Sequence, residues 1–154
     1  MVVRGGSQAE AGANQSPRTG SRLLSTLRRH RRRLTPQRAL ICRLLDGNTE
    51  HLSAEALYRR AQALMPTLSL RTVYAILSDL AEIGAIRSLD MGTGSTRYDP
   101  NPTPHHHLVC DRCGKVRDAL VPVPPIELPP DQRRGFWPRR VDLVFRGVCG
   151  ECRR

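Results

Sequence analysis

The sequence predicts an α+β chain: an N-terminal winged helix-turn-helix followed by a small α/β domain closed by four cysteines. Three observations predict it. Two C-x-x-C knuckles, Cys110-Asp-Arg-Cys113 and Cys149-Gly-Glu-Cys152, stand with 35 residues between them. Ahead of them come punctuated helical segments that end in a glycine hairpin. Between the halves, Asn101-Pro102-Thr103-Pro104 reads as a stiff hinge, after which the pattern turns from helical to β-rich.

Residues 1–21 are Gly, Ser, Ala, Gln and Arg with almost no large apolar side chain, and read as a disordered basic arm. Leu23, Leu24 and Leu27 among arginines then suggest a short basic helix. Thr35-Pro36 is an N-cap with proline at the first helical position. Leu40, Ile41, Leu44 and Leu45 follow at helical spacing, and Asp46-Gly47-Asn48 stops the run. Ser53 caps a second helix whose expected buried face is Leu57, Ala61, Leu64 and Met65. Ser69 caps a third, with Val73, Ile76, Leu77, Leu80 and Ile83 on one stripe and Gly84 at its end. Residues 85–99 read as two short strands around Gly92-Thr93-Gly94.

Three short helices and a hairpin make a winged helix, expected over residues 22–100. In that architecture the third helix enters the major groove and the wing meets the backbone or minor groove. Arg71, Thr72, Tyr74 and Ser78 lie on the polar side of that helix and can donate to phosphates and base edges. Arg38, in the first capped helix, joins them as an expected DNA contact. A plain helical bundle with an ordinary polar face is the competing reading.

Charge favours the first. The chain has a net charge of +11 and a pI of about 10.8. Residues 1–34 hold eight arginines against one glutamate, so the excess is concentrated ahead of a nearly balanced body. That distribution suits a polyanion partner, most often nucleic acid, although a solvated tail has the same composition. No apolar run approaches a membrane span, and the Arg-Arg pairs near residue 30 are not followed by a signal-peptide core. A cytoplasmic protein without disulfides is therefore expected.

The second half, residues 105–154 beyond the 101–104 hinge, carries the metal chemistry. Cys110, Cys113, Cys149 and Cys152 can supply four thiolates to a structural Zn²⁺; redox pairs or buried thiols are the alternative. Cys42 sits among leucines and reads as a small core residue. His105-His106-His107 precedes the first knuckle. On a strand His105 and His107 share one face, while His106 and Cys110 share the other. With His51, Asp99 and Asp118 they offer a mixed N/O site suited to a borderline divalent ion, unless the triple histidine is a surface accident. There is no H-E-x-x-H or comparable helix motif, so neither an enzyme nor a small-molecule substrate is expected.

These segments resemble the ferric uptake regulator (Fur) family of bacterial metal-responsive repressors, from about residue 22 to 153. The resemblance rests on Thr35-Pro36-Gln37-Arg38, Arg71-Thr72-Val73-Tyr74, Arg97-Tyr98-Asp99, the run from His105 to Lys115, and Gly147-Val148-Cys149-Gly150-Glu151-Cys152. It implies a homodimer with a C-terminal dimerisation domain, a palindromic double-stranded DNA operator, a structural zinc on the four cysteines and metal-gated repression. In its peroxide-sensing (PerR-type) branch the regulatory site is three His and two Asp, here matched by His51, Asp99, His105, His107 and Asp118. The carboxylate after Arg97-Tyr98 is Asp, as in peroxide sensors, where many iron sensors have Glu. The resemblance implies Fe²⁺ or Mn²⁺ at that site. It also implies oxidation of His51 or His105 when the Fe²⁺ form meets H₂O₂. An iron-availability repressor is the alternative, followed by a nickel or zinc sensor of the same family. The chain departs from the pattern in three places, the first being the Arg-rich stretch at 28–33, more basic than the family leads one to expect and able to add phosphate contacts. Phe136-Trp137-Pro138-Arg139-Arg140 stands where many iron sensors carry a histidine pair, and five prolines between 122 and 130 leave room for only a very short helix there.

Overall fold

The computed structural model describes residues 21–124, 126–139 and 141–154. The basic arm expected over 1–21 therefore lies outside the described residues, except for Ser21, whose hydroxyl accepts the Leu24 N–H at 3.1 Å and caps the first helix. Four helices form the first half: α1 (Arg22–Arg29), α2 (Pro36–Leu45), α3 (Ala54–Leu64) and α4 (Leu70–Glu82). Each starts on a Ser or Thr N-cap, with Thr35, Ser53 and Ser69 accepting from Arg38, Ala56 and Thr72. These side chains satisfy amide donors that a helix start leaves orphaned.

The helices share one core. Leu23 and Leu27 of α1, Ile41 and Leu45 of α2, Leu57 of α3, and Val73, Leu77 and Leu80 of α4 are all fully buried. Burying each such side chain stabilises the fold by about 1.5–3 kcal/mol. α1 is thus a structural helix: Leu23 and Leu27 enter the core, Arg22 donates to the Ala85 and Pro100 carbonyls, and Arg28 and Arg29 are exposed. Leu64, expected on the buried face of α3, is 66% exposed. It lies in the last turn, and only Met65 after it turns back onto the core.

The hairpin pairs β1 (Arg87–Leu89) with β2 (Arg97–Asp99), antiparallel, with Arg87 opposite Asp99. The second half is a three-stranded sheet in the order β4-β3-β5, from β3 (His106–Cys110), β4 (Val116–Ala119) and β5 (Val144–Gly147). β3 and β4 are antiparallel, whereas β3 and β5 are parallel with Cys110 opposite Gly147. That parallel pairing brings both cysteine knuckles to the same end of the sheet. It also requires a long crossover, which is the proline-rich stretch and α5 (Pro130–Arg133), a single turn. Prolines without amide hydrogens keep that helix short, as the sequence predicts.

Candidate metal centres and nucleic-acid face

The four cysteine sulfurs converge. One Sγ from each of Cys110, Cys113, Cys149 and Cys152 lies within 4.8 Å of all the others. Cys113 and Cys149 Sγ are 3.7 Å apart; a tetrahedron with Zn–S bonds of about 2.3 Å has edges of about 3.8 Å. The Cys149 N–H donates to Cys110 Sγ at 3.3 Å. Together with the Cys113 amide it lowers the Cys110 thiol to about 6. The sulfurs of Cys113 and Cys149 push Cys152 the other way, to about 12. Four thiols this close cannot all ionise unless a cation sits among them. Cys42 is buried in the helical core, where burial raises its thiol to about 12, as for an inert packing residue.

The second cluster lies where the two halves meet. His51, Asp99, His105 and His107 each direct one ligand atom into a space no more than 4.8 Å across, and all four are buried. His51 precedes α3 in a left-handed backbone conformation, φ 49°. This costs a non-glycine residue roughly 1–3 kcal/mol and turns the imidazole inward. Asp99 ends β2. His105 and His107 share one face at the start of β3, and Asp118 stands opposite His107 on β4. Asp118 falls outside the tight foursome, yet its Oδ1 lies 2.9 Å from His51 Nε2 and 3.2 Å from His105 Nε2.

The hydrogen bonding in this cluster is incomplete in a specific way. His51 Nδ1 pairs with the Thr49 carbonyl at 3.2 Å and His105 Nδ1 with the Thr103 carbonyl at 2.7 Å. Each pairing puts the ring proton on Nδ1 and leaves the Nε2 lone pair pointing inward, as metal-bound imidazoles require. His51 Nε2, His105 Nε2, both nitrogens of His107 and Asp118 Oδ1 are buried without a hydrogen bond. Buried polar groups are seldom left unpaired, and here four neighbouring side chains, His51, His105, His107 and Asp118, each carry at least one. Burial lowers the His51 pKa, with Asp118 and Asp99 opposing, which favours the neutral ligating form. Burial alone would raise the Asp99 carboxyl. The His107 imidazole, the Asn101 amide and the Arg87 guanidinium outweigh it and hold it at about 2. At 3.9 Å from Asp99 Oδ2, His107 Nε2 acts electrostatically and not through a hydrogen bond.

Two residues of this cluster went unnoticed in the sequence. Arg87 donates Nε and Nη2 to Asp99 Oδ2 at 3.2 and 2.9 Å, and the Asn101 N–H donates to Asp99 Oδ1 at 2.7 Å. Counting outward from Thr93 at the hairpin tip would have paired Arg87 with Asp99.

On α4, Arg71, Tyr74 and Ser78 are exposed, and Thr72 is half-buried with its hydroxyl 2.8 Å from that of Ser69. The Tyr74 hydroxyl donates to Glu55. Arg38 is differently placed. Its Nη2 lies 2.6 Å from Asp79 Oδ2 and its Nη1 donates to the Arg33 carbonyl at 2.8 Å. Its guanidinium therefore braces α2 against α4. No helix among the described residues is long and apolar enough to cross a membrane.

The sequence pattern of the Ferric uptake regulator family matches residues 30–127. The chain is 31% identical over 131 residues to the peroxide-responsive repressor PerR of Staphylococcus epidermidis, covering 84% of this chain and 87% of that protein. It is 32% identical over 130 residues to the PerR of Staphylococcus aureus, covering 84% and 88%. Among solved structures it resembles a zinc-bound manganese uptake regulator, with a TM-score of 0.65 at 28% identity, over 82% of this chain and 98% of that one. The ferric uptake regulator of Vibrio cholerae gives 0.63 at 25% identity, over 81% and 98%.

Proposed function

Because the chain belongs to the ferric uptake regulator family of metal-responsive, DNA-binding regulators, we propose that it is a homodimeric repressor that senses peroxide through the buried histidine–aspartate cluster. The observation that carries this reading is the set of orphaned ligand atoms. Three imidazoles and the Asp118 carboxylate, drawn from both halves of the chain, carry buried atoms without a hydrogen bond, and Asp99, held by Arg87 and the Asn101 amide, directs a carboxylate oxygen to the same space. His51, Asp99, His105, His107 and Asp118 would hold Fe²⁺ or Mn²⁺; the mixed N/O donor set suits these ions better than a thiolate-seeking one. When bound, iron supplies one-electron chemistry toward H₂O₂ that manganese lacks. Cys110, Cys113, Cys149 and Cys152 would hold structural zinc.

The gating argument is one of populations. His51 and Asp99 belong to the helical half, and His105, His107 and Asp118 to the sheet. Drawing all five together favours one angle between the halves, and DNA affinity follows the fraction of chains at that angle. Arg71, Thr72, Tyr74 and Ser78 of α4 would meet a palindromic operator, with Arg38 holding α4 in place through Asp79. Exposed Phe136, Trp137, Phe145, Leu108 and Val144 in the second half suit the homodimer interface expected of the family. An aspartate at 99 and the two PerR relatives favour peroxide sensing. The likeness to the Vibrio cholerae ferric uptake regulator keeps iron-availability sensing as the second reading.

The test is DNA binding titrated with Mn²⁺, for the wild type and for His105→Ala. The wild type should gain operator affinity with metal. The variant should keep one zinc per chain and lose the Mn²⁺ response. Metal activation that survives His105→Ala would remove the cluster from the mechanism.

A further inference from the structure

The hairpin between β1 and β2 occupies the position of a wing, but its chemistry is poor for DNA. The segment from Arg87 to Arg97 contains two cations, and both are turned inward. Arg87 donates to Asp99, and Arg97 Nη2 donates to the Gly114 carbonyl at 3.2 Å. The remaining charge is Asp90, exposed at the turn, where its carboxylate accepts the Gly92 N–H. A phosphate backbone would meet a carboxylate there and no unengaged guanidinium.

The same hairpin is docked on the cysteine-bearing sheet. Leu89 and Met91 of the hairpin bury themselves with Val109 of β3 and Val116 of β4 in a core separate from that of the helices. Arg146 of β5 donates Nη1 to the Met91 carbonyl at 2.9 Å, while Asp111 of the first knuckle holds its Nε and Nη2, each at 2.9 Å. At Gly114, φ 67°, an added Cβ would stand 3.2 Å from Thr93 Cβ at the hairpin tip. The dock and the metal cluster lie on one face of the same two strands. His107 pairs with Asp118, and two residues along Val109 pairs with Val116.

We propose that this wing is a strut that couples the helical half to the cysteine-bearing half, and not a phosphate contact. A shift of β3 and β4 at His107 and Asp118 is carried to Leu89 and Met91 through adjacent side chains on that face. The Arg146–Met91 and Arg97–Gly114 hydrogen bonds then fix the wing to the knuckles. α4, which leads directly into β1, turns with it. The functional consequence rests on the DNA-binding reading above; the dock itself does not.

Thr93→Arg separates the two roles by sign. If the wing contacts phosphates, an arginine at its tip tightens DNA binding and steepens the log–log salt slope by roughly 0.9. If the wing is a strut, the longer side chain meets Gly114. DNA affinity of the Mn²⁺ form then falls by about tenfold, within the usual span of coupling between sites, and the slope is unchanged. Arg146→Met tests the dock without touching a metal ligand. Amide hydrogen exchange of residues 88–97 in the zinc-loaded, manganese-free chain should quicken by about tenfold, with zinc content and Mn²⁺ stoichiometry intact. Tighter DNA binding by Thr93→Arg, or an unchanged affinity, overturns the proposal, as does unaltered wing exchange in Arg146→Met. If wild-type DNA affinity ignores metal altogether, the repressor reading fails, and the exchange experiment still decides whether the dock exists.

Discussion

Replacing His107 with leucine should make the zinc-loaded, manganese-free protein more stable while destroying its manganese response. His107 is 1% exposed, and both its ring nitrogens are buried without a partner. Each unpaired buried polar atom costs about 1–3 kcal/mol. Leucine removes both atoms at similar volume. Two losses oppose the gain: imperfect fit, typically under about 1.5 kcal/mol for such a volume-conserving swap, and the electrostatic support that His107 lends Asp99. Arg87 and Asn101 continue to hold that carboxylate, so the second loss is partial. The net is a gain of about 1–2 kcal/mol, or a rise in Tm of about 2–8 °C for a chain of this size. Added Mn²⁺ at a hundred times its Kd stabilises the wild type by about 2.7 kcal/mol and should leave the variant unmoved. Calorimetry of the two zinc-loaded proteins, with and without Mn²⁺, should therefore show their order of stability reverse on adding metal. A variant that melts lower than the wild type without Mn²⁺ would refute the reasoning that these nitrogens are held apart for a ligand.

Cys110→Ser and Cys152→Ser should each lose zinc, and the sheet with it, because the knuckles tie together strands joined only by a proline-rich crossover; metal analysis and size-exclusion chromatography test this, and a zinc-free dimer of unchanged Tm would contradict it. Arg71→Ala should cost about 1–3 kcal/mol of operator affinity if the guanidinium reads a base, measured against a scrambled site; a loss equal on both sequences assigns it to phosphate. Removing residues 1–20 should lower the salt slope by no more than roughly 0.9 for each of Arg4 and Arg18. A cut through residue 33 should instead unfold the helical half, since Leu23 and Leu27 are core residues; thermal melts of the two truncations distinguish the cases.

Much of this was legible in the sequence because the signals were local. Helix starts could be read at Thr35, Ser53 and Ser69, since a cap and the amide that donates to it lie within three residues. Side-chain alternation on β3 separated His105 and His107 from Cys110 for the same reason. What escaped was set by tertiary partners. Arg38 looked available to DNA, and only the packing of α2 on α4 gives it Asp79. Leu64 had the right spacing for a buried face, but spacing does not say where a partner helix ends. The wing looked like an ordinary DNA-facing hairpin until Leu89 and Met91 were found against Val109 and Val116, residues some 20 positions away across the hinge. The gathering of His51 with Asp118 likewise depends on how the two halves meet, which no local spacing encodes.

The central claim is that the histidine–aspartate cluster gates DNA binding and makes it sensitive to peroxide. The most direct measurement is operator affinity of the Fe²⁺ and Mn²⁺ forms before and after a stoichiometric pulse of H₂O₂, followed by mass spectrometry of the peptides bearing His51 and His105. The account predicts that the Fe²⁺ form loses DNA binding and gains one oxygen on His51 or His105, while the Mn²⁺ form keeps both its affinity and its mass. An Fe²⁺ form that still binds DNA after peroxide, with both histidines unmodified, would contradict peroxide sensing and leave iron availability as the signal.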